Sequence, residues 1–353
     1  LSKEIQKIFQ VAAVFIGTIV GAGLASGKEI TQFFTSYGIK SFIGIIICGI
    51  FYIIMGSIIS KISVDYNLNS YSHVINKVSP NILGKILGSI TTLYIISSAS
   101  IILAGSGALL NQFFGIPKLV GTLIMAAFAI LTLLRGTKGL IEINSFIVPS
   151  LITVIVTIML LYVFFYRDAI NIKTLVSFPV QKSNWILSTI LYSGYNILCC
   201  SGVLAPLSKE IKKKSTLIWG ITLGAIGLTV ICILINIMLM LNQPYIYRYE
   251  IPLLYIANRF GKVIQVMLLM IILLEMFSTE VSDVYSISKS LEESFNISFK
   301  KGIFIVILFA LPISQIGFTN LISVLYPVFG VLSLLFIFQC VFFYVKQYWL
   351  KAH

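Results

Sequence analysis

The sequence predicts an all-α membrane protein of ten transmembrane helices, built as two inverted five-helix repeats with helices 1 and 6 broken. Three observations predict it. The 353 residues are 58% apolar and only 10% charged, with a mean hydropathy of +1.01, far outside the range of soluble domains. Apolar runs bounded by charge, Pro, Asn and Gly recur ten times along the chain, which reads as ten bilayer-spanning segments. Glycine-rich, polar interruptions also fall inside the first and sixth runs, about half the chain apart, with Gly194 following Gly21 by 173 residues.

The runs cover 8–34, 40–60, 82–111, 118–134, 143–165, 184–207, 215–241, 254–289, 301–318 and 320–345. The loops at 61–81 and 166–183 are polar enough to lie outside the bilayer, and neither is long enough to form a separate domain. One transmembrane domain therefore divides into a first repeat, 1–170, and a second, 171–353. An odd number of spans in each means that the second runs through the membrane in the opposite direction. Pro149 in the fifth run and Pro327 in the tenth, 178 residues apart, keep the same offset.

Charge sets the orientation. Sixteen Lys and Arg residues lie on the side of the N-terminus and eight on the other, with Lys28 alone inside a span, which places both termini in the cytoplasm. The net charge of +13 is spread over these short loops, so it reads as a topology signal and argues against nucleic acid as a partner; the expected surroundings are a lipid bilayer. The five cysteines lie within apolar runs without metal-binding spacing and read as small packing residues.

The first run carries Gly17, Gly21, Gly23 and Gly27 within eleven residues. Gly17 and Gly21 form a GxxxG pair, which reads as a close-packing face. The other reading is an opened helix, since non-helical backbone at membrane depth is tolerated only inside protein or beside a water-filled cavity. The counterpart Tyr192-Ser193-Gly194-Tyr195-Asn196 in the sixth run favours the opening. An open turn at Gly21 to Gly23 offers amide N–H groups at the start of an outer half-helix, Leu24 to Phe34, and these suit a carboxylate. Carbonyls ending the inner half-helices of spans one and six suit an ammonium, so one site fits an amino acid zwitterion. Tyr192 and Tyr195 line or lid that pocket, or pack.

Ionisable groups within the membrane are costly and become functional candidates: Lys28, Glu29, Glu275, Glu280 and Asp283. Glu275, Ser278, Thr279, Ser282 and Ser286 fall within roughly a 100° arc of the eighth helix. Such hydroxyls either bond back to their own helix or, together with a carbonyl near Glu275, present oxygens to a hard cation such as sodium. Lys28 and Glu29 are sequence neighbours on different helix faces; they and Asp283 are candidates for a gate or a proton carrier. No histidine lies in a span and nothing forms a nucleophile constellation, so no enzymatic activity is expected.

Gly17-Thr18-Ile19-Val20-Gly21-Ala22-Gly23-Leu24 resembles the first-helix motif of the amino acid, polyamine and organocation (APC) transporter superfamily, and Tyr192 to Asn196 is similar to the sixth-helix motif of its amino acid members. The run Gly21 to Ile30 more narrowly resembles the YkvI-type permeases. The resemblance covers nearly the whole chain and implies the LeuT-type fold in a bacterial plasma membrane. It implies that Ala22 and Gly23 hold a substrate carboxylate, with Gly21, Tyr192, Ser193, Gly194, Tyr195 and Asn196 completing the substrate site. It further implies a sodium site on Gly17, Val20, the Glu275 carbonyl, Ser278 and Thr279. Leu24 stands where some relatives place an Asn for a second sodium, and Glu275 is an acid where a small neutral residue is expected.

The expected function is import of an amino acid or related small zwitterion by a sodium-coupled secondary transporter, with spans one, two, six and seven rocking against the rest and no cofactor beyond Na+ or H+. Proton coupling and a non-transporting nutrient receptor of the same fold are the alternatives. The identity of the substrate and the oligomeric state are not legible in the sequence.

Overall fold

The computed structural model describes residues 3–68, 70–80, 82–135 and 140–349, and among these every regular element is helical. The first expected span is three helices, α1 (Lys3–Ile19), α2 (Ala22–Ala25) and α3 (Lys28–Phe33). The second span is α4 (Lys40–Asp65), followed by a short α5 (Tyr71–Val78) in the connecting loop. The third to fifth spans are α6 (Ile82–Phe114), α7 (Lys118–Arg135) and α8 (Leu140–Phe165), and α9 (Ile172–Ser177) lies in the loop that follows. The second half runs α10 (Trp185–Ile211), α11 (Lys214–Met240), α12 (Pro252–Asn258), α13 (Lys262–Phe295), α14 (Phe299–Ser314) and α15 (Phe318–Tyr344).

By length and composition α4, α6, α7, α10, α11, α13 and α15 are able to cross a membrane. The other three expected spans are shorter pieces: α14 has 16 residues, the described apolar part of α8 runs Pro149–Phe165, and the first span is divided. The eighth span starts later than expected. Gly261 takes φ +100, a left-handed conformation that ends any helix, so residues from 252 form the separate α12 and the span proper begins at Lys262.

The helix surfaces show why these segments need a bilayer. On α4, Gly44, Cys48, Tyr52, Met55 and Ile59 are buried, while Ile43, Ile46, Ile47, Ile50 and Ile54 are exposed on the opposite side. A helix apolar all round, packed on one side only, has lipid as the natural solvent of the other.

The packing repeats with an offset of five spans. Span one (α1) packs on span seven (α11), as span six (α10) packs on span two (α4). Span three (α6) packs on span four (α7), as span eight (α13) packs on span nine (α14). Span five (α8) lies against α11 and α13, as span ten (α15) lies against α4 and α6. These three sets of contacts thus have their equivalents in the other half. Spans one, two, six and seven pack on one another as one bundle, spans three, four, eight and nine as another, and spans five and ten contact both.

Candidate functional site

The first span opens where the glycines are. α1 ends at Ile19, and the Gly21 N–H donates to Ile19 O at 2.9 Å instead of to Gly17 O four residues back. Gly21 is extended (φ −94, ψ −175), and backbone pairing resumes with Ala25 N–H donating to Gly21 O at 3.0 Å. The carbonyls at the end of α1 thereby leave the helical ladder, and Thr18 O accepts from Cys199 Sγ at 3.8 Å.

The outer half differs from the expected single helix. Gly27 takes φ +80, where a Cβ would also lie 2.8 Å from Leu253 Cγ, so the chain turns there and divides the segment into α2 and α3. A one-turn α2 carries far less dipole at Ala22 and Gly23 than a full half-helix. Glu29 moreover folds back so closely that a Cβ on Gly23 would collide with its carboxylate.

Glu29 is the hub of this region. It is 2% exposed, and its carboxylate accepts from Tyr192 of α10 at 2.8 Å and from Tyr326 of α15 at 2.6 Å. Phe33 lies against both tyrosines, with ring centroids 5.2 and 6.0 Å away, and Tyr195 stacks on Tyr326 at 3.9 Å. Spans one, six and ten therefore meet on one buried carboxylate in an aromatic wall. Sequence reasoning left Glu29 unplaced and missed Tyr326, whose signal was a tyrosine in the middle of an apolar span, next to Pro327.

Lys28 goes elsewhere. Its ammonium donates to Tyr249 O at 2.9 Å, in the segment before α12, and Leu253 N–H donates to Ser26 O at 3.0 Å. The same segment is tied to α6 by Gln112, which donates to Ile251 O at 2.9 Å and accepts from its N–H at 3.1 Å. Lys28 thus clamps α3 to the connection between spans seven and eight and leaves Glu29 to its tyrosines.

The sixth span corrects an expectation: α10 is one continuous helix through Tyr192, Ser193, Gly194, Tyr195 and Asn196. The polar groups that suggested an opening bond back along their own helix, Ser193 Oγ to Thr189 O at 2.6 Å and Asn196 Nδ2 to Tyr192 O at 2.9 Å. Gly194 serves close approach, since a Cβ there would strike Ser333 of α15, and Gly330 faces it from the other helix. No helix end in span six is therefore available for an ammonium.

On the eighth span, Glu275 and Ser278 are buried and Thr279 is half-buried, whereas Ser282 and Ser286 are exposed and bond back to Ser278 O and Ser282 O. The well-packed neighbours of α1 are α11, α10 and α8; it is α2 that lies on α13. The oxygen set of Gly17, Val20, Glu275, Ser278 and Thr279 fits a hard cation in donor type, with backbone released from the ladder at one end. Asp283 neighbours Ser98 on α6.

Comparison with known proteins agrees with this architecture. Two proteins of Bacillus subtilis (strain 168) match almost end to end: the uncharacterized membrane protein YkvI, 29% identical over 328 residues and 93% of each chain, and the uncharacterized protein YyaD, 26% identical over 336 residues, 94% of this chain and 95% of YyaD. No family model matches. Among solved structures, an inward-facing conformation of Mhp1 superposes with a TM-score of 0.68 at 14% identity, over 97% of this chain and 76% of Mhp1. MhsT in complex with L-phenylalanine gives 0.67 at 17%, over 94% and 88%, and a manganese transporter of Eremococcus coleocola gives 0.67 at 16%, over 95% and 78%. The chain is a membrane protein of the LeuT-type fold, and the likeness to YkvI noted at residues 21–30 extends over 93% of its length.

Proposed function

We propose that the protein is a secondary active transporter that carries an amino acid or related small zwitterion across the bacterial plasma membrane by alternating access, with sodium as the coupling ion. The opening of the first span at Val20–Gly21, next to a carboxylate that ties that span to α10 and α15, carries this reading. Spans one, two, six and seven form the rocking bundle, and the two repeats, 1–170 and 171–353, supply its symmetry. The Glu29–Tyr326 bond joins the outer half of span one to span ten, and releasing it removes one of the ties that hold that half in place. Gly21, Ala22 and Gly23 offer amides to the substrate carboxylate once Glu29 moves aside, and Tyr192 and Tyr195 wall the pocket. The carbonyls of Gly17, Val20 and Glu275 and the hydroxyls of Ser278 and Thr279 hold sodium. The similarity in fold to MhsT, solved with L-phenylalanine, supports an amino acid as cargo.

Glu29 favours one second reading. Its recorded hydrogen-bond partners are two neutral hydroxyls, which suits a carboxylate that takes up and gives back a proton. Uptake into proteoliposomes separates the two. Uptake is expected to follow an inward sodium gradient and to fall at least tenfold in Ser278→Ala and Thr279→Ala. Uptake that ignores sodium, follows a pH gradient and loses that response in Glu29→Gln selects the proton instead.

A further inference from the structure

The eighth helix carries a second set of acids on another face. At 100° per residue, Glu280 stands roughly 160° around α13 from Ser278, so the two belong to different surfaces. Glu280 shares its face with Met276 and Asp283. That face looks toward α6: a Cβ on Gly105 would lie 3.0 Å from Met276 Cε, and Asp283 neighbours Ser98. Glu280 is 0% exposed, and neither of its carboxylate oxygens has a hydrogen-bond partner among the described residues; nor does Oδ2 of Asp283. Salt bridges recorded among the described residues all lie on other acids: Glu4, Asp65, Glu250 and Glu292.

Orphaned oxygens on two carboxyls one helical turn apart, buried in a membrane helix, are costly to keep charged unless a cation or a proton sits among them. We propose that Glu280 and Asp283 of α13, with Ser98 of α6, form a buried site for a hard metal cation, distinct from the Ser278 face. The donors are all oxygen, the preference of sodium and of the hard divalent ions, and they exclude the softer metals that need nitrogen or sulfur. Charge balance sets the occupant: a divalent ion neutralises both carboxylates, and sodium does so together with one proton on the pair. The site lies between spans three and eight, so an ion there pins α6 to α13 within the frame against which the bundle moves.

The test is thermal unfolding of the purified full-length chain at fixed pH and ionic strength, titrated separately with sodium, magnesium, calcium and manganese chlorides against choline chloride. At least one of these ions is expected to raise the wild-type midpoint in a saturable way, and Gly202→Ala, whose Cβ meets nothing within 4 Å, is expected to keep that response. Glu280→Gln and Asp283→Asn are each expected to weaken the apparent affinity at least tenfold, while raising the midpoint in choline because an unpaired buried charge has been removed. Loss of folding in one variant leaves the other to carry the same readout. The proposal is overturned if none of the four ions shifts the wild-type midpoint, or if the shift survives unchanged in both acid variants. A response lost in Ser278→Ala and kept in the acid variants assigns the ion to the other face and also overturns it.

Discussion

Glu29→Ala is expected to abolish uptake in protein that still folds. The substitution leaves the Tyr192 and Tyr326 hydroxyls, both buried, without their acceptor, and each unsatisfied donor costs about 1–3 kcal/mol. It also empties the space beside Gly23 and removes the hydrogen bond between spans one and ten, so the outer half of the first span loses one of the contacts that fix its position. Glu29→Gln keeps an acceptor of the same shape and is expected to retain the fold. Initial rates in proteoliposomes, read beside unfolding midpoints, check this. Equal uptake by wild type and Glu29→Ala removes the hub from the account.

The second large effect is expected at the crossing of α10 and α15. A Cβ on Gly330 would lie 2.6 Å from Leu191 O and 3.0 Å from Leu191 C, both backbone atoms that cannot swing aside. Gly330→Ala therefore pushes the helices apart, at about 1–3 kcal/mol for an overpacked contact, and moves Tyr326, one turn away on α15, from its partner on span one. A lower unfolding midpoint together with reduced uptake is the expected result. Gly202→Ala on the same α10 is the control: nothing lies within 4 Å of its Cβ, and alanine is the better helix former by about 1 kcal/mol. Its midpoint is expected to stay level or rise. Equal losses in both variants contradict the packing role of Gly330.

The two glycine-rich stretches looked alike in the sequence and folded differently, for a reason that lies in their neighbours. Gly21 lies where the chain leaves the helix and has open space around it, whereas Gly194 is pressed against Ser333 and Gly330 of a helix more than a hundred residues away. Composition and periodicity report a weakened helix, not what packs on it. The polar residues Ser193 and Asn196 misled in the same way, since a side chain that bonds back to its own turn has the same sequence signature as one that frees the backbone. The all-helical fold and the break in the first span were legible, because each rests on local hydropathy and backbone chemistry. Glu29 was visible only as an awkward acid beside Lys28. Its role depends on Tyr192 and Tyr326, 163 and 297 residues distant in the chain, and on Lys28 being drawn off to Tyr249 O.

Alternating access around the broken first span is tested most directly by counterflow. Proteoliposomes loaded with unlabelled amino acids and diluted into a labelled trace of the same mixture need no ion gradient, so the measurement reads the carrier cycle alone. Wild-type protein is expected to accumulate label above the level of protein-free vesicles, and Glu29→Ala is expected to accumulate none. Saturable binding of label by the purified protein, with no accumulation in vesicles, contradicts the transporter reading and assigns the fold to a receptor.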